Sequence, residues 1–387
     1  MIDHVDVLIV GGGPVGATLA LALKASGLQV MVLEARHDFS RKPDPRTLAL
    51  SYGSKLILER MGIWSALPQP TSIETIHISH EGGLGRSVLS AEQEGIPALG
   101  YVVNYAALDQ ALHEALLQSN VHYLTGAQVT QTRATQSYAV ADFDFQGASH
   151  QVTARLLALA DGGRNQSGVS GAERHVRDYR QTAVVAQVKT ELPHKQVAYE
   201  RFTPDGPVAL LPSGDGFALV WTATPEAAEA ILQLDDTAFM HRLHAHFGDR
   251  LGGFVQAGHR ASFPLSLSYT KPVTGPRKVA LGNAAQMLHP VAGQGFNLGL
   301  RDAWELATEI LHVSPSNIGS AEMLAHYSSK RRMDTAGGIL FTDALVRVFS
   351  NDNPLLHHSR GAALIGLDLL PPLKSLVARK MIFGARG

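Results

Sequence analysis

Three glycines at fixed spacing, Gly11, Gly13 and Gly16, stand between two apolar runs and narrow the fold more than any other feature of the chain. Val5–Val10 is apolar except for Asp6 and predicts a buried strand. Gly11-Gly12-Gly13-Pro14-Val15-Gly16 predicts a tight turn, and Ala17–Ser26 a helix stopped by Gly27. Val30-Met31-Val32-Leu33 then predicts a second buried strand that finishes in Glu34. Two apolar strands joined by a helical crossover form a βαβ unit in a parallel sheet covered on both faces. Gly11 permits the turn, Gly13 lets the backbone approach a pyrophosphate, and Gly16 lets helix and strand pack closely. The helix N-terminus then faces the phosphates, and an acid about 20 residues on binds ribose hydroxyls. An acid at Glu34 disfavours a 2′-phosphate, so the turn suits FAD or NAD and not NADP.

The rest of the chain extends this core. Ser54–Met61 and Tyr105–Ser119 predict helices, while Ile73–His80, Val121–Leu124, Ala139–Phe145 and Gln151–Leu159 predict strands. Between Thr182 and Phe263, short apolar runs broken by Pro and Gly (Ala183–Val188, Val208–Leu211, Phe217–Thr222) predict an inserted antiparallel sheet. Val279-Ala280-Leu281 predicts a buried strand, Leu298–Leu311 a helix, and the remainder is mostly helical. The expected architecture is α/β with α+β insertions: a Rossmann-type core, a sheet lobe and a helical C-terminus. We expect residues 1–180 and 264–330 to form an interleaved dinucleotide-binding domain. Residues 181–263 with parts of 65–100 would make the substrate-side lobe, and 331–387 a C-terminal helical segment.

Composition removes other classes. A formal net charge of −1 over 387 residues favours no nucleic acid. Without cysteine there is no disulfide framework, thiolate metal site or cysteine nucleophile, which fits a reducing compartment. His241, His244 and His246 cluster on one predicted helix without metal-ligand spacing, so no metal is expected and a solvated face is. Lys330-Arg331-Arg332 likewise reads as exposed helix surface. The first residues lack the basic start and long apolar core of a signal peptide, and no stretch approaches the ~20 apolar residues of a membrane span. The expectation is a cytoplasmic protein. Leucine-rich Leu364–Phe383, with Lys374, Arg379 and Lys380, reads either as a peripheral contact for the inner membrane face or a partner, or as a core-facing terminal helix.

Two further places carry chemistry. Asp161-Gly162 follows an apolar strand directly, although alone it is a common turn. Gly282-Asn283-Ala284-Ala285-Gln286 leads through His289-Pro290 to Gly293-Gln294-Gly295-Phe296-Asn297 and then Asp302. Gly293 and Gly295 let the main chain approach a ligand, and the helix beginning near Phe296 or Asn297 points its N–H groups into the loop.

Together these motifs resemble the FAD-dependent aromatic hydroxylases of the para-hydroxybenzoate hydroxylase type, over nearly the whole chain. The resemblance implies that Gly11, Gly13, Pro14, Val15, Gly16 and Glu34 hold the ADP half of FAD. Asp161-Gly162 would lie beside FAD and take part in NAD(P)H use. Arg46, in Asp44-Pro45-Arg46-Thr47, would touch the flavin. Gly282 and Asn283 would meet the ribityl chain, and Pro290, Gly293, Gln294, Gly295, Phe296 and Asn297 the isoalloxazine ring. Most relatives carry Gly-Asp-Ala-Ala-His where Asn283 and Gln286 stand here. The Asn form is similar to the ubiquinone-biosynthesis hydroxylases, and Gln286 is most like the 2-polyprenyl-6-methoxyphenol branch. Glu200-Arg201-Phe202-Thr203, Gly206-Pro207, Leu211-Pro212 and the tail Leu369–Leu373 resemble that branch too. Asn104 stands where many relatives have an arginine.

The implied reaction is NAD(P)H- and O2-dependent hydroxylation of a phenolic, polyprenylated ring in ubiquinone biosynthesis. The implied tail channel runs through the lobe Ala183–Phe263, lined by Val208, Leu210, Leu211 and Phe217. Rival readings are a flavin monooxygenase of another aromatic, a halogenase, and a non-catalytic flavoprotein scaffold of a quinone-biosynthesis complex. The Trp-x-Trp-x-Ile-Pro motif of halogenases is missing, since Trp64, Trp221 and Trp304 lie far apart.

Overall fold

The structure, a computed structural model, describes residues 3–37, 46–82, 85–164, 168–204, 206–290, 293–349 and 354–384. Asp44, Pro45, Val291 and Ala292 lie outside the described residues. The glycine turn forms where the sequence places it. The strand His4–Val10 pairs in parallel with Val30–Glu34 on one side and Ala148–Leu159 on the other. The helix Pro14–Leu23 makes the crossover, with Pro14 at its first turn, where a missing N–H costs nothing. Val30–Glu34 is buried at every position, as a two-face-covered parallel strand must be. His122–Thr125 and Lys278–Ala280 add further parallel strands at the two sides. Three neighbouring strands therefore end together at Val10, Leu159 and Ala280, and their next residues are the glycine turn, Ala160-Asp161-Gly162 and Leu281-Gly282. Ligands of open α/β sheets bind beyond such carboxyl ends.

Among the described residues the strands form sheets of eight, nine and three. The nine-stranded sheet is largely antiparallel and contains Glu173–Thr190, Val197–Thr203, Gly206–Ser213, Gly216–Ala223 and Ala261–Lys271, with Thr75–His80 and Arg86–Ser90 at one side. Alternation divides it into two faces. Val184, Val208, Leu210, Phe217 and Trp221 lie under the helices Pro225–Leu232 and Asp236–Phe247, packed on Phe239, Leu243 and Phe247. Of the four residues expected to line a channel, Val208, Leu210 and Phe217 are thus core, and Leu211 alone reaches the cavity on the other face. The reason is parity: a continuous apolar run gives no clue to which alternate residues face which side.

The three-stranded sheet of Thr47–Ser51, Thr71–Ile73 and Gly100–Asn104 links the lobes. The helix Gln294–His312 packs on Pro14–Leu23, and Ala321–Phe349, Pro354–Leu369 and Pro371–Phe383 complete the helical end. On that end Arg331 is buried, against the expectation of exposed surface for its cluster, because Asp302 and Asp334 both pair with it. Lys330 pairs with Glu309 and Glu305, while Arg332 is exposed. The last helix is core-facing over part of its surface, as one of the two readings expected. Ala378 and Ile382 are core, while Leu369, Leu370, Leu373 and Leu376 are exposed at its start. His246 stacks on Trp221 and His244 pairs with Asp249, and no metal-holding group occurs among the described residues.

Candidate active site

A cavity of about 1280 Å³ opens at the shared carboxyl ends and continues beneath the nine-stranded sheet. A single small ligand fills about 300–1,000 Å³, so this volume accommodates a dinucleotide with a second ligand beside it. Gly11, Gly13, Pro14, Val15, Glu34, Arg46, Asp161, Gly162, Gly282, Asn283, Pro290, Gly293, Gly295 and Phe296 all line it.

At the nucleotide end, Gly11 has φ +102°, and a Cβ there would lie 2.6 Å from the Ala160 carbonyl oxygen, so only glycine fits. Gly16 lies behind the turn, and its Cβ would come 2.0 Å from the Gly11 carbonyl oxygen. Gly13 is different, because a Cβ there meets nothing within 4 Å. Its bare face looks into the cavity at the helix N-terminus, where N–H groups attract an anion. The Glu34 carboxylate accepts from the Gly12 N–H at 2.7 Å and from the Arg36 N–H and Nε at 2.9 Å. Two carboxylate oxygens offer about four acceptor positions, and these three bonds leave about one for a ribose hydroxyl. Arg36 is in turn held by Asp109 at 2.7 Å. This brace was missed in the sequence, although an Arg two residues past the acid was its visible signal.

Gly282 caps the third strand with φ +54°. Its N–H donates to Asp302 at 3.2 Å, and Gln286 Nε2 donates to the same oxygen at 2.6 Å. Arg331 Nε donates to the other oxygen at 2.8 Å. Burial pushes the Asp302 carboxyl up, against the pull of Arg331, Gln286 and the Gly282 N–H. Gln286 is therefore part of a brace behind the turn, while Asn283 faces outward into the cavity.

In the ring-side loop, Gly293 adopts φ +61° and a Cβ there would stand 3.1 Å from that of Ala49. Gly295 has room, with no atom nearer than 3.8 Å to an added Cβ. Asn297 is a clamp. Its Oδ1 accepts from the Ser51 N–H at 2.8 Å, and its Nδ2 donates to the Ala49 and Gly293 carbonyls at 2.9 and 2.7 Å. Gln294 and Asn297 line a small side pocket near Ala49 and Leu50, not the main cavity. Arg46 lies over the Tyr105 ring at 4.6 Å and near Phe263, at the cavity wall. Asn104 caps the helix Tyr105–Leu117 by accepting from the Ala107 N–H. Asp161 accepts from the Gly163 N–H at 2.9 Å, which fixes the turn beside Gly11.

The open face at Gly13, the braced acid and the adjoining wall fit FAD. A family model described as an FAD binding domain matches residues 4–337. The chain belongs to this FAD-binding family. Among its relatives, the ubiquinone hydroxylase UbiL of Rhodospirillum rubrum is 34% identical over 387 residues, covering 97% of this chain and 88% of that protein. The 3-demethoxyubiquinol 3-hydroxylase of Escherichia coli is 29% identical over 389 residues, covering 95% and 96%. The crystal structure of p-nitrophenol 4-monooxygenase PnpA from Pseudomonas putida superposes with a TM-score of 0.79 at 18% identity over the whole of both chains, which shows the shared fold. The expected family, FAD-dependent aromatic hydroxylases of the ubiquinone branch, and the expected mixed α/β fold are both borne out. As a member of the FAD-binding family, the chain is an FAD-dependent hydroxylase.

Proposed function

We propose that the protein hydroxylates the ring of a polyprenylated phenol in ubiquinone biosynthesis, using NAD(P)H and O2, with 2-polyprenyl-6-methoxyphenol as the substrate its sequence pattern names. The observation that carries this reading is the continuity of the cavity. It passes from the nucleotide turn and Gly293 to a wall of Ile76, Ile78, Leu211, Leu364 and Leu367 that suits an apolar tail. Each buried CH2 of such a tail contributes about 0.8 kcal/mol.

FAD, when bound, would carry electrons from NAD(P)H to O2, one of whose oxygen atoms enters the ring while the other leaves as water. Glu34 and the Gly13 amide face hold its ADP half, and Gly282 with Asn283 adjoins the linker between its halves. The backbone of Pro290, Gly293 and Gly295 meets its ring. The sheet and the C-terminal helices exclude water, which protects the oxidising species from wasteful breakdown. The exposed Leu369, Leu370, Leu373 and Leu376 adjoin the cavity-lining Leu367 and Val377, so we place the membrane contact there, with exposed Lys380 facing lipid headgroups and Arg379 paired with Glu94 beside it.

The test is turnover. Purified protein with FAD, NAD(P)H and a short-chain 2-prenyl-6-methoxyphenol should give a product one oxygen atom heavier, and loss of the gene should deplete ubiquinone and accumulate the phenol. Normal ubiquinone in such a strain without a redundant hydroxylase sinks the substrate claim.

A further inference from the structure

Glu200 belongs to a sequence motif that resembles the branch and lies apart from the residues that would hold FAD. The register settles which face it occupies. Ile78, Glu200, Ala209, Val220 and Val185 form one cross-strand row, since Glu200 pairs with Ile78 and Ala209, Ala209 with Val220, and Val220 with Val185. All five line the cavity. Two residues back along the strand, Ala198 packs in a cluster with Ile73, Val102 and Ala49. Ala49 is the residue that a Cβ on Gly293 would meet, so this side adjoins the ring loop. Two residues forward, Phe202 packs with Leu364 and Leu345 of the C-terminal helices, at the apolar end. Glu200 thus stands between the ring loop and the tail wall. Neither of its oxygens accepts a hydrogen bond among the described residues.

We propose that Glu200 is the polar anchor of the substrate ring, accepting the hydrogen bond and then the proton of its phenolic hydroxyl. This inference rests on the proposed phenol hydroxylation and adds the residue that activates the ring. Electron density on the ring oxygen raises the nucleophilicity of the carbons ortho and para to it, which is where oxygen insertion needs it. In the step, the phenol O–H bond breaks, its electron pair stays on oxygen, and the proton moves to a Glu200 oxygen. After insertion the newly oxygenated ring carbon loses its hydrogen as a proton, which leaves with the second oxygen atom of O2 as water, and Glu200 returns its own proton to the original oxygen. NAD(P)H and O2 remain the only redox partners.

The surroundings suit the task. Burial alone pushes the Glu200 carboxyl up to about 7, where a general base works best near neutral pH. Facing it are Ile76 and Ile78 from the Thr75–His80 strand, Ala209 and Leu211 from Gly206–Ser213, and Leu364 and Leu367 from Pro354–Leu369. His80, opposite Phe202, is a titratable group on the same face, and Arg46 and Tyr105 line the same cavity. Asp368 lies beyond the outer strand, bound to Val88, Ser87 and Lys374.

Glu200→Gln keeps the shape and removes the base. With FAD-loaded enzyme and a short-chain 2-prenyl-6-methoxyphenol, kcat/KM should fall about a hundredfold, with NAD(P)H oxidation diverted to hydrogen peroxide. The wild-type rise in kcat/KM through pH ~7 should flatten in the variant. Binding the same phenol should produce a phenolate absorbance band in the wild type and none in Glu200→Gln. Wild-type kcat/KM and an unchanged pH limb in the variant would overturn the proposal. So would activity lost only together with FAD content and thermal stability, which would make Glu200 a packing residue. If wild type hydroxylates no phenol, the proposed function fails, and the absorbance titration still decides whether Glu200 takes a phenolic proton.

Discussion

Glu34 already accepts from Gly12 and Arg36, so its carboxylate is aimed before any ribose arrives. Glu34→Ala should weaken FAD binding by roughly 1.5–3 kcal/mol, the worth of charge-assisted hydrogen bonds, read as a tenfold or greater rise in Kd by titration of apoprotein. Unchanged affinity would remove Glu34 from the site. Glu200 makes a second residue-scale prediction, this time about stability. Its folded carboxyl is raised to about 7, above the ordinary value of 4.5. An acid raised on folding binds more protons in the native state, so stability is full below about 4.5 and is lost as pH climbs through about 7. The Glu200→Gln variant should therefore match wild type at pH 4.5 and exceed it at pH 8 by on the order of 2–3 kcal/mol, measured by urea unfolding of the apoprotein. Equal stability at pH 8 would show the carboxyl to be solvated. Glu34 was legible in the sequence because the strand delivers it at a known distance from the turn. Glu200 stood out only as a motif, since its environment exists once five strands have paired.

The ring-side loop joins an element to the site. Gly293 is held at positive φ against Ala49 and tied by Asn297, whereas Gly295 has open space beside it. Gly293→Val should cost about 1–3 kcal/mol of fold stability because a β-branched residue resists that conformation. Gly295→Val should leave apoprotein melting within about 0.5 kcal/mol of wild type and yet lower FAD occupancy, because its side chain enters the cavity. Wild-type FAD occupancy in Gly295→Val would mean the ring lies elsewhere. Behind the loop, Asp302→Asn removes one of the two carboxylates on the buried Arg331 and leaves Asp334, so urea unfolding should show a loss below the about 3–5 kcal/mol of a buried pair broken outright. Glycine spacing and the strand-then-loop pattern made this site readable from the chain. Arg331 was misread because a basic triplet on a helix carries no sign of which member turns inward; here Asp302, 29 residues earlier, decides it. Val208, Leu210 and Phe217 were misplaced for a related reason, as an all-apolar strand conceals its parity until helices cover one face.

At the scale of the whole molecule, the cavity ends among helices that expose Leu369, Leu370, Leu373 and Leu376. No helix among the described residues is long and apolar enough to cross a membrane, and the proposed lipid contact is a surface one. Leu369 is 73% exposed and Leu370 54%, and exposed Leu373 and Leu376 follow, with exposed Lys380 and with Arg379 paired to Glu94. Soluble domains bury such groups unless something covers them. Beneath the patch, Leu367, Val377 and Met381 turn inward to the cavity, so a tail leaving the bilayer would pass from one apolar surface to another without crossing water. Burying four leucines in the interface offers several kcal/mol at about 1.5–3 kcal/mol for each fully buried side chain, and each basic residue near an anionic surface adds about 1 kcal/mol. The protein should therefore float with vesicles containing phosphatidylglycerol, and float less at high salt. Replacing Leu369, Leu370, Leu373 and Leu376 together by Ser should abolish flotation. It should leave turnover of a water-soluble short-chain phenol intact and reduce turnover of the long-chain phenol embedded in vesicles. Flotation undiminished in the quadruple variant would place the contact elsewhere. Flotation lost with embedded-substrate turnover preserved would separate membrane binding from substrate capture and break the proposed path.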